Sequence, residues 1–245
     1  MINKIILSIE VPSSDIHIKT RGKTLLGILL AFLPLVVLGI TGTRVGAGTL
    51  LGGMLITLGY ILAIVVASLV LKLQGSSWNQ IGLAQPGSWL RTALLGFVTF
   101  LGAIVLVTVV QWVALSLPGL AAEPADVSRF NPLTGNLPLF LLYLLLAWTT
   151  ITFGEEMFFR AFLISQLEAV FQGIKIEKVL AVLISSLAFG SIHYQEGVVG
   201  MLSTAAMGFL FALIYLRTGR NLWVTIIAHG LANTLRFMFI FIGTA

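Results

Sequence analysis

Long apolar segments that carry almost no charge recur along this chain of 245 residues. A helix needs roughly 20 consecutive apolar residues to cross a bilayer. We therefore predict an all-α fold, a polytopic transmembrane helix bundle of about seven spans. The predicted spans lie near residues 24–42, 48–71, 91–117, 137–164, 179–196, 198–216 and 222–243. Only 9% of the residues are charged and the mean hydropathy is +1.05, values that exclude an ordinary soluble domain.

The basic residues outside these spans are unevenly placed. Two basic residues, Arg44 and Arg129, lie in loops on the side opposite the N-terminus. Ten lie at the span ends or in segments on the same side as the N-terminus: Lys4, Lys19, Arg21, Lys23, Lys72, Arg91, Lys175, Lys178, Arg217 and Arg220. The positive-inside rule then predicts a cytoplasmic N-terminus and an outer C-terminus, in the plasma membrane if the source is prokaryotic. The net charge of +5 is spread along the chain, so the predicted partner is the lipid bilayer and not nucleic acid.

The chain divides into three expected regions. Residues 1–23 form a cytoplasmic segment, residues 24–77 two N-terminal transmembrane helices, and residues 78–245 a core of five helices that holds the functional cavity. The sequence contains no cysteine. This excludes disulfides, thiolate metal sites and a cysteine nucleophile.

A few ionisable side chains remain inside the predicted spans: Glu155, Glu156, Arg160, His193, His229 and Arg236. Such groups are costly in a membrane and mark functional sites. Residues i and i+4 share one face of a helix, whereas neighbours point about 100° apart. Glu156 therefore lies over Arg160 as a structural pair that supports the site, and Glu155 has no local partner. Glu155 is the predicted active group, and Arg236 receives no role.

Two further spans each present a polar face. His229 and Asn233 are four residues apart in AHGLAN, and Phe189 lies one turn before His193 in FGSIH. Together with Glu155 they provide a carboxylate, two imidazoles and a carboxamide. These groups can activate a water molecule and stabilise a developing oxyanion.

Composition narrows the alternatives within hydrolytic chemistry. The only aspartates, Asp15 and Asp126, lie in predicted loops, which excludes a two-aspartate intramembrane protease. The chain has no HExxH zinc motif. Ser191 lies about 200° around the helix from His193, so the two cannot pair as nucleophile and base. A glutamate and histidine site remains, with or without a metal.

Three motifs resemble, in order and spacing, those of a known family. EEMFFR (155–160), FGSIH (189–193) and HGLAN (229–233) are similar to the EExxxR, FxxxH and HxxxN motifs of the CPBP family. That family comprises type II CAAX prenyl proteases and bacteriocin-processing or immunity relatives, the Abi proteins. IGLAQP (81–86) is similar to the linker that often precedes the family core, and the resemblance covers roughly residues 78–243.

The resemblance implies an intramembrane endopeptidase. Glu155 with His193 would activate the water, and His229 with Asn233 would stabilise the oxyanion. The family has been described both as metalloproteases and as metal-free glutamate proteases. The implied cofactor is thus either a divalent metal such as zinc, bound by Glu155, His193 and His229, or none. The implied partner is a peptide or protein substrate at the membrane, lipidated in eukaryotic members.

Two other functions stay open at this point. A non-catalytic membrane protein, such as a bacteriocin-immunity factor or a scaffold, would keep the motifs for stability. A proton-coupled transporter would use Glu and His as a proton relay, although the sequence shows no paired Gly/Pro-broken helices. The predicted spans also separate His193 from Glu155 and His229 by a depth on the order of 10 Å. A longer or tilted fourth helix would close this gap.

Overall fold

The computed structural model of the chain describes residues 21–46, 49–117, 120 and 128–244. Most of the predicted cytoplasmic segment 1–23 lies outside these residues, as do Asp15 and Asp126. Within the described residues the chain forms helices and turns and no strand. The predicted all-α class is therefore confirmed.

Seven helices of at least 15 residues follow one another in the described part of the chain. They are α1 (Arg21–Gly46), α2 (Leu50–Leu73), α3 (Trp89–Ser116), α4 (Leu137–Val170), α5 (Glu177–Ser191), α6 (Gly197–Arg217) and α7 (Leu222–Phe241). Shorter helical turns lie at Asn79–Leu83, Ser128–Leu133 and Tyr194–Glu196. Side-chain caps from Thr49, Ser88, Asn136 and Asn221 fix where α2, α3, α4 and α7 begin.

Six helical segments among the described residues are long and apolar enough to cross a bilayer. They contain α1, α2, α3, α4, α6 and α7, which confirms a multi-pass membrane protein. The fifth predicted span corresponds to α5, which has 15 residues. At 1.5 Å per residue it is about 22 Å long, shorter than the roughly 30 Å hydrocarbon core. The predicted count of seven spans is therefore approximate.

The segment around α5 nevertheless runs the length of α1. At the start of α1, Arg21 Nη2 donates a hydrogen bond to the carbonyl oxygen of Gln172 at 2.6 Å. Near the other end, Gln195 Nε2 donates to Thr43 Oγ1 at 2.5 Å. α5 together with the turns on either side of it therefore extends from one end of α1 to near the other end.

A single buried core joins the first two helices to α4. Ala31 of α1 and Ala63 of α2 are fully buried and belong to the same apolar cluster as Phe158 of α4. The ring of Phe32 packs edge-on against Phe158 with centroids 4.8 Å apart. Small residues such as alanine let membrane helices approach closely. The two N-terminal helices therefore share the core of the helix that carries the glutamates.

The linker before α3 is fastened to the loop between α6 and α7. Tyr215 Oη donates a hydrogen bond to the carbonyl oxygen of Ile81 at 2.6 Å. Gly82 has a φ of +119°, and a Cβ there would lie 2.3 Å from the carbonyl oxygen of Arg220. Only glycine fits this position, because it tolerates both the conformation and the close approach. These contacts position the start of α7, which carries the HGLAN motif.

Candidate active site

α4 carries both glutamates at a point where its winding changes. The helix is π-helical at Ala147–Thr152 and again at Glu156–Leu163, with one short α-helical turn, Phe153–Glu155, between them. π-helical turns are rare and are frequent at functional sites. Glu155 and Glu156 are 4% and 0% exposed. Both carboxylates therefore depend on protein partners in place of water.

Glu156 is held by two partners through the same oxygen. Arg160 Nη1 lies 3.3 Å from Glu156 Oε1, at the i,i+4 spacing of the EEMFFR motif. His229 Nδ1, from α7, lies 2.9 Å from the same atom. A buried carboxylate is tolerated when cations and hydrogen-bond donors compensate its charge. Glu156 thus links α4 to α7 at the level of the HGLAN motif.

The guanidinium of Arg160 lies among aromatic rings. Its Cζ lies 4.0 Å from the ring centroid of Phe189 and 5.5 Å from that of Phe211. Its N–H groups have no hydrogen-bond acceptor among the described residues, so the contact with Glu156 is an ion pair without hydrogen-bond alignment. A cation over an aromatic face is stabilised by the ring quadrupole. Gly208 leaves the space for this arrangement, since a Cβ there would lie 3.0 Å from Phe189 Cδ1.

Glu155 has partners on two other helices, one for each carboxylate oxygen. Tyr60 of α2 donates its hydroxyl to Oε1 at 2.6 Å. His229 Nε2 of α7 lies 3.5 Å from Oε2. The glutamate without a local partner therefore meets side chains across the bundle, and one of them comes from the N-terminal pair of helices.

The imidazole of His229 lies between the two glutamates. Because a carboxylate only accepts hydrogen bonds, the 2.9 Å contact with Glu156 places a proton on Nδ1. A neutral ring would then present a lone pair at Nε2 toward Glu155 Oε2. The 3.5 Å distance between Nε2 and Oε2 is within ion-pair range, without a hydrogen bond. The three side chains form one contiguous unit, with a hydrogen bond from His229 to Glu156 and a 3.5 Å contact from His229 to Glu155.

His193 lies at the end of α5, beside this unit. Its Nδ1 lies 2.9 Å from the carbonyl oxygen of Phe189, which can only accept, so Nδ1 carries the proton. This contact caps one of the carbonyl groups that every helix leaves unpaired at its C-terminus. In the neutral ring Nε2 is then a free acceptor. In the described part of the chain His193 makes no hydrogen bond or ion pair with Glu155. The structure therefore does not bring these two predicted partners into direct contact.

The ring of Phe189 separates the two histidines. Its centroid lies 5.1 Å from that of His193 and 5.9 Å from that of His229. Both imidazoles therefore lie against one aromatic ring. α4 extends over 34 residues, from Leu137 to Val170, and is longer than the predicted span of residues 137–164.

Asn233 lies one turn beyond His229 and is turned toward α4. Its Nδ2 donates a hydrogen bond to Thr152 Oγ1 at 2.9 Å. Thr152 precedes the glutamates by one turn and is fully buried. The amide therefore lies beside the site, with one of its two hydrogens engaged and the other not committed to this bond.

The turn that follows His193 is also tied to α7. Arg236 Nη1 donates to Glu196 Oε1 at 2.7 Å. Since Glu196 lies three residues after His193, this ion pair ties the end of α5 to the helix that carries His229. Arg236, to which the sequence assigned no role, thus helps to set the position of His193.

Sequence reasoning missed Tyr60 and Thr152. Tyr60 is the only tyrosine in the second predicted span, and a hydroxyl surrounded by apolar residues in a membrane requires a partner. Thr152 lies three residues before Glu155, so helical spacing alone puts it next to the glutamates. The hydroxyl of Tyr60 and the spacing of Thr152 can both be read from the sequence. Neither feature identifies the side chain that the residue contacts.

Comparison with known proteins identifies the region that contains these residues. A family model described as type II CAAX prenyl endopeptidase Rce1-like matches residues 137–235. The match begins with α4 and includes all three motifs. The match agrees with the resemblance of this region to the CPBP family. The match covers less than half of the chain and leaves α1, α2 and α3 outside. A search of curated proteins found no match, and a search of solved structures found none either.

This match suggests a protease that acts on peptides at the membrane. Whether the site suits a metal ion is a separate question. No group of three or more His, Cys, Asp or Glu side chains in the described residues is arranged to hold one. Both nitrogens of His229 face carboxylates, and Glu155 Oε1 accepts from Tyr60. The predicted ligand set of Glu155, His193 and His229 does not fit a metal ion in this arrangement.

Proposed function

We propose that this protein is an intramembrane endopeptidase that hydrolyses a peptide bond with a water molecule activated by Glu155. The observation that carries the proposal is the buried Glu155 carboxylate, held between Tyr60 and His229 inside the region that matches the family model. A carboxylate held by a few directional partners in a dry site is a suitable general base.

The reaction proceeds in two steps. Glu155, assisted by His193, accepts a proton from the water while the water oxygen bonds to the carbonyl carbon of the substrate. The oxyanion that forms accepts hydrogen bonds from Asn233 and from His229 Nε2, which gives up its 3.5 Å contact with Glu155 for this bond. The C–N bond then breaks, and the transferred proton passes to the amine leaving group. The free acceptor at His193 Nε2 and the second amide hydrogen of Asn233 support these roles.

The site is closed in this arrangement. Glu155 and His229 are 4% and 3% exposed, so a peptide cannot reach them without movement of a helix or a side chain. His193 is half-buried and is the more accessible of the two histidines. A substrate therefore approaches first on the side of His193, at the end of α5. Glu156 and Arg160 support the unit through the contacts of Glu156 with His229 and of Arg160 with the Phe189 ring.

The substrate to test first is a prenylated peptide, since the matching family model describes a CAAX prenyl endopeptidase. The assay uses the purified full chain in liposomes and a fluorogenic peptide with a farnesylated cysteine near its C-terminus. The same peptide without the farnesyl group measures whether the lipid matters. A comparison of membrane peptidomes with and without Glu155 provides a test that assumes no substrate.

In both assays the Glu155→Gln variant is expected to lose at least about 100-fold in rate, the scale of general base catalysis. Glu177→Gln is the matched control, because Glu177 lies outside the site and its Oε2 accepts from the Gly173 N–H, a bond that glutamine retains. Equal rates for Glu155→Gln and wild type would refute the assignment of the base. Identical peptidomes would instead favour a non-catalytic membrane protein, such as an immunity factor.

We further propose a cytoplasmic N-terminus and an outer C-terminus. Ten basic residues on one side against two on the other support this orientation, as does the continuous path of the α5 segment along α1. Because the natural chain has no cysteine, single cysteines report directly on sidedness. A membrane-impermeant maleimide applied to intact cells should label Thr244→Cys and spare Lys175→Cys. The opposite pattern would reverse the orientation.

A further inference from the structure

A tyrosine outside the family-matched region contacts the candidate base. Tyr60 lies on α2, and its hydroxyl is 2.6 Å from Glu155 Oε1 in a buried setting. Tyr60 is 9% exposed and Glu155 is 4% exposed. A phenol has one proton to donate, and a hydrogen bond to an ionised group is stronger than one between neutral groups. This bond therefore orients the carboxylate.

We propose that Tyr60 is the positioning residue of the active site, and the proposal rests on the function proposed for Glu155. By holding Oε1, the Tyr60 hydroxyl stops rotation of the carboxyl group and turns Oε2 toward His229. Oε2 is then the atom that meets the attacking water. Without the hydroxyl, Glu155 would keep one partner at 3.5 Å and could rotate away from it.

The backbone of α2 determines where this hydroxyl lies. Ala63 and Ala67, on the next two turns of the helix, are fully buried in the core shared with α4. The ring of Tyr60 passes α4 at Gly154, where an added Cβ would lie 3.9 Å from Tyr60 Cβ and Cδ1. The tyrosine is thus placed by helix packing and does not depend on a mobile loop.

A consequence is that the site is shared between two parts of the chain. The region that matches the family model supplies the base, both histidines and the asparagine. The helices before it supply the group that orients the base. α2 is therefore part of the active site and not only a membrane anchor.

The test compares Tyr60→Phe with wild type in full-length protein in liposomes, with the peptide that wild type cleaves. Phenylalanine keeps the ring and removes only the hydroxyl. We expect kcat to fall on the order of 10- to 100-fold, the value of one hydrogen bond to a charged group, while KM stays within about twofold. Tyr143→Phe is the matched control, since Tyr143 lies on α4 among aromatic rings away from the glutamates. This control should keep the wild-type kcat.

The outcomes separate the two proposals. Loss of cleavage in Glu155→Gln together with a wild-type kcat in Tyr60→Phe overturns the role of Tyr60 alone. A wild type that cleaves no peptide overturns both. Thermal unfolding of each variant measures its folded fraction. If kcat of Tyr60→Phe falls only in proportion to lost folded protein, or if KM rises instead of kcat falling, the tyrosine is structural or contacts substrate, and the positioning role is refuted.

Discussion

Replacing Arg160 by methionine should destabilise the folded protein strongly. The side chain is fully buried, and its charge is compensated by Glu156 at 3.3 Å and by the Phe189 ring at 4.0 Å. Arg160→Met leaves Glu156 as a buried carboxylate with His229 as its remaining partner. Breaking a buried ion pair by removing one member typically costs about 3–5 kcal/mol, because the other charge stays buried without compensation.

The double variant Arg160→Met/Glu156→Gln should recover much of this loss. Both charges are then absent, and glutamine still offers an oxygen to His229 Nδ1. Tryptophan fluorescence monitors unfolding of the purified protein by heat or by denaturing detergent. It measures the unfolding free energies of the two single variants and of the double variant. We expect the losses of unfolding free energy in Arg160→Met and in Glu156→Gln to add up to more than the loss in the double variant. This difference is the signature of a coupled pair.

Arg236→Met serves as the control for this experiment. Arg236 also pairs with a glutamate, Glu196, but its side chain is 39% exposed. The Glu196 side chain is 13% exposed, but water reaches the Arg236 end of the pair, so this variant should lose less stability than Arg160→Met. The reasoning is refuted if Arg160→Met is as stable as Arg236→Met, or if the losses of the two single variants simply add. Normal stability with lost activity would make Arg160 part of the chemistry.

Three further changes test other parts of the structure. Because both nitrogens of His229 face carboxylates, we expect cleavage to persist after dialysis against EDTA and phenanthroline, and activity that is lost and then restored by added zinc would contradict this. Gly230→Ala should cost about 1–3 kcal/mol of unfolding free energy through overpacking, since a Cβ there would lie 2.4 Å from the Trp148 ring, and an unchanged melting temperature would contradict the close approach. Tyr215→Phe should cost roughly 1–3 kcal/mol by leaving the buried Ile81 carbonyl without its donor; wild-type unfolding would show that the linker is held by other contacts.

Helical spacing predicts contacts within a helix well. The i,i+4 rule predicted that Glu156 would contact Arg160, and Glu156 Oε1 lies 3.3 Å from Arg160 Nη1. It also predicted Phe189 beside His193, where the structure has a ring contact and a bond from Nδ1 to the Phe189 carbonyl. These contacts depend only on the geometry of one helix, which the local sequence encodes.

Contacts between helices could not be predicted in the same way. Tyr60 lies 95 residues from Glu155 along the chain, and its position depends on how α2 packs on α4. His229 proved to contact both glutamates, whereas spacing assigned Glu156 to Arg160 alone. The π-helical turns around Glu155 also change which side chains face each other, and the sequence pattern gave no sign of them.

The length of α5 has a consequence for the membrane around it. The helix ends at Ser191, and its outward residue Leu187 is 65% exposed. Backbone that is not helical is tolerated at membrane depth only where protein covers it or water reaches it. The turns that flank α5 and reach both ends of α1 are such backbone. For the proposed hydrolysis, the end of α5 next to His193 is therefore the place where we expect water to enter. The short helix would then admit the second reactant of the proposed reaction on the side of His193.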